Sequence, residues 1–587
     1  IISGTGVTLT KAGAGTLSLT ADNSYGGSNT INAGTLTVTS TGSLGGSAGV
    51  TSATLTISSA TLNLQRAITV GSLSMSGTSP AITSTGTSSL EVTGTSTLAN
   101  SVTTSGTQIF NGAVTLGAST TLTVSTITTK GTVTGSGYAL TITGDAILGD
   151  AAADRLSGLS TLSISGTTNL LADAITSTGA QTYSGALTLS ENATLTSTSS
   201  GQLWFKAAVS GAKTLTTSTG GSTLFDASVG STPLTGLTIS TATLTAGAIA
   251  LADNSALSVT NSSTGSITGI ISGTGVTLTK AGAGTLTLSG ANTYTGATTI
   301  TAGVLSASSV ADGGLASNLG QSSNADTSLV FNGGTLQFTG SGSGASNRAF
   351  TINTGKTATF DISQSTGVLT ISGAAASTNG ALTKIGSGTL VLSGDNQHTG
   401  ATTINAGTLT VTSSGSIGGS LGVTSAALTI SSATLNLQRA LTVGSLSMSG
   451  TSPAINNSTG TSSLIVSGAS TLAGSITTSD LQTFSGAVTL GAATTLTTGS
   501  SGGAILFSST VNGAYTLATT TTGSTTFNST VGSTVTGLTI NTATLTAAAI
   551  GLASSRALSV TNSGDASITG IISGTGVTLT KAGAGTL

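Results

Sequence analysis

IISGTGVTLTKAGAGTL, residues 270–286, stands unchanged at 1–17 and again at 571–587. A segment that returns without alteration marks one small structural unit used many times, so the repetition must be read before any residue is read for chemistry. Function in such a chain belongs to the stack of units rather than to a single pocket.

Composition narrows the class. Of the 587 residues only 5% are charged, 85 are Gly, 3 are Pro and none is Cys, and the formal net charge is −2. That balance offers no basic field for nucleic acid and no acidic tail for cationic partners. Disorder is also a poor fit, because disordered chains combine low hydrophobicity with high net charge, whereas here 37% of residues are apolar and mean hydropathy is +0.39. No apolar run approaches the roughly 18 residues of a spanning helix. A lipid-embedded barrel would carry aromatic girdles, against 3% aromatics here. The segment is therefore expected not to insert into a membrane. It begins at Ile1 inside one repeat and stops at Leu587 inside another, without initiator Met or apolar leader, which reads as a piece of something longer or a processed product.

Internal matches subdivide it. Thr39–Ile82 matches Thr412–Ile455 except at Thr41, Leu44, Ala48, Thr54 and Ile68, within a longer duplication of 39–123 as 412–497. Residues 201–269 recur as 502–570, and 124–200 is extra material in the first copy, near four short repeats long. The expectation is one continuous repeat structure over 1–587, with 571–587 starting the next repeat.

The local pattern supplies the fold. Apolar pairs separated by one polar residue recur at Leu17/Leu19, Leu36/Val38, Leu55/Ile57, Leu73/Met75 and Leu90/Val92, bounded by Gly, Asn or Ser. Such alternation marks half-buried strands and turns, and no 3.6-residue helical period is present. Strands of three to five residues, turning two or three times per roughly 19 residues, predict an all-β parallel β-solenoid, with Leu17, Leu36 and Leu55 stacked inside. About 31 rungs spaced about 4.8 Å apart would give an elongated rod on the order of 150 Å long. Corners such as Asn32-Ala33-Gly34 permit positive φ cheaply.

Residues 273–305, GTGVTLTKAGAGTLTLSGANTYTGATTITAGVL, carry this pattern with a fixed order of turns. The stretch resembles the autotransporter passenger-associated repeat, within the repeat regions 1–38, 270–305 and 381–411. Asn318–Phe338, with its FNGGTLQF, looks like the segment commonly found between such repeats. The resemblance implies a Gram-negative protein exported to the cell surface, with a right-handed β-helical passenger and often a C-terminal outer-membrane barrel; neither barrel nor signal peptide lies in this sequence. Thr20–Tyr25 departs from the pattern of Ser289–Tyr294. The motif carries no catalytic residues.

Few side chains remain for chemistry. Asp145, Asp150, Asp154 and Arg155 form the most crowded charged stretch; several converging oxygens would make it a calcium site, but the reading here is a solvated loop with an ion pair. Glu91 and Glu191 are expected about five rungs and over 20 Å apart, too far for a glycosidase pair. His398, replacing Tyr294 of the sister repeat, reads as an exposed turn residue. Trp204 would fill the core, with sugar stacking the alternative. Lys11, Lys280, Lys384 and Lys581 occupy one repeat position and read as solvated charges guarding a strand edge. Thr-x-Thr pairs at Thr8/Thr10, Thr35/Thr37, Thr54/Thr56, Thr121/Thr123, Thr141/Thr143 and Thr277/Thr279 suit the wet face of a strand, with ordering of ice the alternative.

No catalytic, cofactor or metal site is therefore expected, and enzymatic activity is not. The function expected is that of an exported, extracellular structural solenoid on the bacterial outer surface, forming a rod, filament or sheath, with an adhesin stalk as the alternative. Partners would be copies of itself, end to end or laterally, and host or neighbouring-cell surface ligands, without nucleic acid.

Overall fold

Alternating aliphatic and hydroxyl residues produce, in the computed structural model, short strands that pair in parallel with the strand about one repeat before and one repeat after. The structure describes residues 1–46, 52–419, 425–499 and 502–587. Ala48, one of the five differences between the duplicated segments, lies outside the described residues. Among those described there is no helix, and the turns number about 27 at about 21 residues each. The chain divides into two compact units, Ile1–Tyr294 and Thr295–Leu587.

In the first unit each turn over residues 193–288 lays one strand on each of three faces. One face stacks Ala193–Ser197, Thr214–Thr219, Gly236–Thr241, Ala256–Asn261 and Thr277–Ala281. A second stacks Leu203–Phe205, Ser222–Phe225, Thr243–Ala246, Thr264–Ile267 and Thr285–Leu288. The third stacks Val209–Ser210, Val229–Leu234, Ile249–Leu251 and Ile271–Ser272. Each strand thus has its backbone donors and acceptors met by the turns above and below, which is how very short strands persist.

Side chains at period two enter a narrow interior. In Leu203–Phe205 the burial alternates, with Leu203 and Phe205 inside and Trp204 outside. Tyr183, Phe205 and Phe225 form a face-to-face ladder with ring centroids 5.3 and 4.7 Å apart. The second unit builds the same device from Phe484, Phe507 and Phe527, at 5.3 and 4.8 Å. Turn-to-turn spacing near 4.8 Å sets this stacking distance, and each buried ring contributes core area as well as the pair interaction.

The turn is longer than the 19 residues that the apolar pairs suggest, because those pairs come from different faces. Leu17 does lie against Leu36, but Leu36 is followed by Leu62. Leu55 belongs to another face, between Asn29 and Leu73. Residues 124–200 add strands of the same kind: Ile142 pairs with Ile164, Ile164 with Tyr183, and Tyr183 with Phe205.

Corners are sites of close backbone approach. Gly34 has φ 65°, and a Cβ there would collide with the carbonyls of Gly13, Ala14 and Gly15 in the turn below. Where the interior must hold a polar corner, a glutamine closes it. Gln108, Gln181 and Gln482 are fully buried, and each Nε2 donates to the carbonyl six residues back, to a hydroxyl four residues back and to a carbonyl of the next turn.

Candidate functional site

The repeat lysines are the first surprise. Thr277–Ala281 alternates so that Leu278 and Lys280 both point inward, and Lys280 and Lys384 are fully buried, with Lys11 6% exposed. Their solvated-edge reading is wrong at these three positions. The ammonium is held by the turn that follows it: Lys11 Nζ donates to Ala12 O at 3.2 Å, Gly13 O at 2.6 Å and, one turn on, Ala33 O at 2.9 Å. Lys384 repeats this with Ile385 O at 2.7 Å, Gly386 O at 2.8 Å and Ala406 O at 3.2 Å. Lys280 reaches Ala281 O and Gly282 O at 2.6 and 2.9 Å. Three N–H donors meet the carbonyls that a tight corner turns inward, while the stem packs in register with aliphatic and aromatic neighbours such as Phe360 and Ile404. Lys581 makes the same two local bonds but is exposed. Burial pushes the amines of Lys280 and Lys384 down to about 8, and the carboxylate of Asp361 opposes this at Lys384. The signal was in the sequence: the lysine sits two residues beyond an inward leucine and just before Gly-x-Gly.

His398 is likewise no exposed turn residue. It is fully buried at the position of Tyr25 and Tyr294, and neither ring nitrogen has a hydrogen-bond partner. Tyr25 Oη donates to Asn29 Oδ1 at 2.5 Å, but Asn29 is replaced in the third repeat by Thr402, whose hydroxyl donates instead to Ile417 O. Burial lowers the His398 imidazole to about 4.

Asp145 and Asp154 accept from backbone amides. Asp145 Oδ1 accepts from Thr167 N at 2.7 Å, and Asp154 Oδ2 accepts from Asp150 N and Ala151 N at 2.9 and 3.0 Å. Arg155 pairs with Asp173 at 3.1 Å, outside the expected cluster. Among the described residues, no three His, Cys, Asp or Glu side chains converge to hold a metal ion. Glu91 accepts from Asn111 Nδ2 at 2.9 Å, and Glu191 pairs with Lys213 at 3.1 Å. Register partners run from Glu91 through Ile109, Thr128, Ile147 and Asn169 to Thr188, three residues before Glu191. Those steps separate the two glutamates by about 24 Å, beyond the reach of a glycosidase pair.

Trp204 departs from the core reading. It is half-buried on the outer side of its strand, its Nε1 donates to Asp226 Oδ2 at 2.6 Å, and Lys206 Nζ lies 4.0 Å above the ring. The ring face that a sugar would cover is taken by the chain's own cation. The hydroxyl pairs do stack: Thr121 and Thr123 lie between Ser101 and Thr103 on one side and Thr141 and Thr143 on the other. Two longer files, Thr194-Thr216-Thr238-Ser258-Thr279 and Thr196-Ser218-Ser240-Thr260, mix Thr with Ser.

Fold and side-chain placement define a stacked-turn, all-β repeat protein whose repeat lysines are held by the carbonyls of the chain's own corners. Within that class the chain carries the passenger-associated-transport-repeat of autotransporters three times, at residues 9–38, 278–307 and 382–411. It is also 47% identical over 124 residues, 21% of its length, to the adhesin BmaC autotransporter of Brucella suis biovar 1, of which it spans 4%. No solved structure matches.

Proposed function

We propose that the chain is part of a bacterial autotransporter passenger displayed outside the cell, where it acts as a structural and adhesive surface without enzymatic activity. The observation that carries this reading is the threefold passenger repeat, coinciding each time with an inward lysine that locks a corner. A fold of this kind draws its stability from turn-on-turn pairing, needs no disulfide and extends without new design; the absence of cysteine fits that economy. The similar protein is named an adhesin, which favours attachment to host or neighbouring-cell surfaces over a passive sheath. Contacts with further copies, end to end or lateral, belong to the same proposal, since parallel strand edges and neutral hydroxyl faces suit self-association.

The test is direct. Antibodies raised against the chain should label intact bacteria and lose the signal after protease shaving, and beads coated with the chain should adhere to cells. Labelling only after lysis would overturn the surface assignment, and coated beads that bind no better than albumin-coated beads would overturn the adhesive one. The stacked Thr and Ser files keep ice ordering as a second reading; thermal hysteresis with the purified chain supports it, and freezing curves identical to buffer remove it.

A further inference from the structure

The two near-identical copies diverge in length at one corner. Between Ile82 and Gly86 the first copy has Thr83-Ser84-Thr85, whereas between Ile455 and Gly460 the second has Asn456-Asn457-Ser458-Thr459. In the first copy the corner closes on itself: Asn63 Nδ2 and Oδ1 both lie 3.1 Å from Thr85 Oγ1, and Gln65 Nε2 donates to the same oxygen at 3.2 Å. In the second, the extra residue changes the partners. Asn436 Oδ1 accepts from the backbone of Ser458 at 3.1 Å, and Asn457 Nδ2 donates to Gly460 O at 3.2 Å. The Oδ1 of Asn457 is buried and has no hydrogen-bond partner. Beside it opens a groove of about 570 Å³, lined by Thr408, Thr434, Asn436, Asn456, Asn457, Ser458 and Thr477.

Register orders this lining. Thr408 stands beside Thr434, and Asn436 beside Asn456, so hydroxyls and amides run in two files up successive turns. Spacing between turns is about 4.8 Å. No lining residue is charged, so a phosphate, sulfate or carboxylate finds no counter-ion there. Each amide offers donors and an acceptor at fixed positions, and each threonine adds a hydroxyl that does both, beside a methyl. That pattern complements a chain of neutral sugar hydroxyls and C–H faces.

We infer that the groove on the second copy binds a neutral oligosaccharide lying along the stack, with Asn436, Asn456 and Asn457 as its polar contacts. The inference rests on the adhesive reading above and names its ligand class. Without an aromatic platform among the lining residues, affinity is expected near about 1 mM for a short oligosaccharide.

The copies supply their own control. Asn456→Thr with Asn457 deleted recreates the first-copy sequence at this corner, which the chain already folds, and Asn457→Ala is a milder second variant. Saturation-transfer NMR with the full chain would use cello-, chito- and maltohexaose as probes and a heparin hexasaccharide as the anionic comparison. The expected result is binding of at least one neutral hexasaccharide, none of heparin, and weakening by about tenfold or more in both variants. No neutral binding at about 10 mM, equal heparin binding, or variants that bind like the parent would each overturn the inference. Bead adhesion of the parent chain separates the two claims. Adhesion with no hexasaccharide binding removes the groove and leaves the adhesive reading, whereas hexasaccharide binding without any bead adhesion does the reverse.

Discussion

Replacing His398 by Phe should remove an acid sensitivity confined to the third repeat. The folded imidazole is held down at about 4, against an ordinary value of 6.5, because it is buried without a partner. Between these values the unfolded chain takes up a proton that the folded chain refuses. This contribution to stability is therefore complete above pH 6.5 and lost as pH falls toward 4. At pH 4.5 the linkage relation gives a loss of about 2.5 kcal/mol relative to neutral pH. The phenyl ring has no such term, and at neutral pH it also spares two unpartnered nitrogens, a gain of about 1–3 kcal/mol before any packing cost. The site tolerates a larger ring, since Tyr25 and Tyr294 are fully buried at the same position. Local amide exchange suits a repeat stack better than global melting, because turns open in sections. Corrected for intrinsic rates, protection of Thr402–Ile404 and of Gly419, whose N–H bonds to His398 O, should fall from pH 7 to 4.5 by about 2.5 kcal/mol more in the parent than in H398F. Equal losses in both proteins would refute the reasoning.

Other perturbations test the interior and the loop. Phe205→Ala breaks the ladder between Tyr183 and Phe225 and should cost about 3–5 kcal/mol, read as lost protection in the adjoining turns; unchanged exchange would deny that the ladder supports them. Leu288→Asp places a charge in a fully enclosed site and should disrupt its neighbouring turns by several kcal/mol, and unaltered protection would count against its burial. Arg348 is buried and donates to the carbonyls of Ala311, Leu315, Leu319 and Gly320 and to Ser322 Oγ, so Arg348→Ala should make residues 308–328 protease-sensitive while far-UV circular dichroism keeps its β signature. Cleavage as slow as in the parent would show that the loop is held by other means.

Strand type, parallel stacking and the identity of most inward aliphatics were legible because period-two alternation is a direct projection of burial. Leu36, Val38, Leu62 and Leu64 illustrate it. The turn length was less so, since Leu55 looks like the successor of Leu36 although it lies on another face. Polar interior residues were the least legible. His398 and Gln181 were invisible to a reading that sends polar groups outward, because what buries them is formed only when turns stack, and the same rule misplaced Lys280 although an inward leucine two residues before it and the Gly-x-Gly after it mark its corner. Trp204 failed in the opposite sense: its size suggested the core, but its place between inward Leu203 and Phe205 sends it out. The groove at Asn456 and Asn457 was encoded by one extra residue between two copies, a difference that acquires meaning only when the neighbouring turn at Asn436 is seen.

Engineered cross-links offer the most direct test of the stacked parallel register, and the chain contains no cysteine to interfere. Thr216 and Thr238 are register partners on one outer face, about 4.8 Å apart, within disulfide reach. Thr216 and Ser240 differ from that pair by two positions along the strand, which places them about 8 Å apart and out of reach. Under mild oxidation T216C with T238C should close quantitatively within one chain, while T216C with S240C should stay reduced. Closure of the second pair in preference to the first, or of neither, would contradict the architecture.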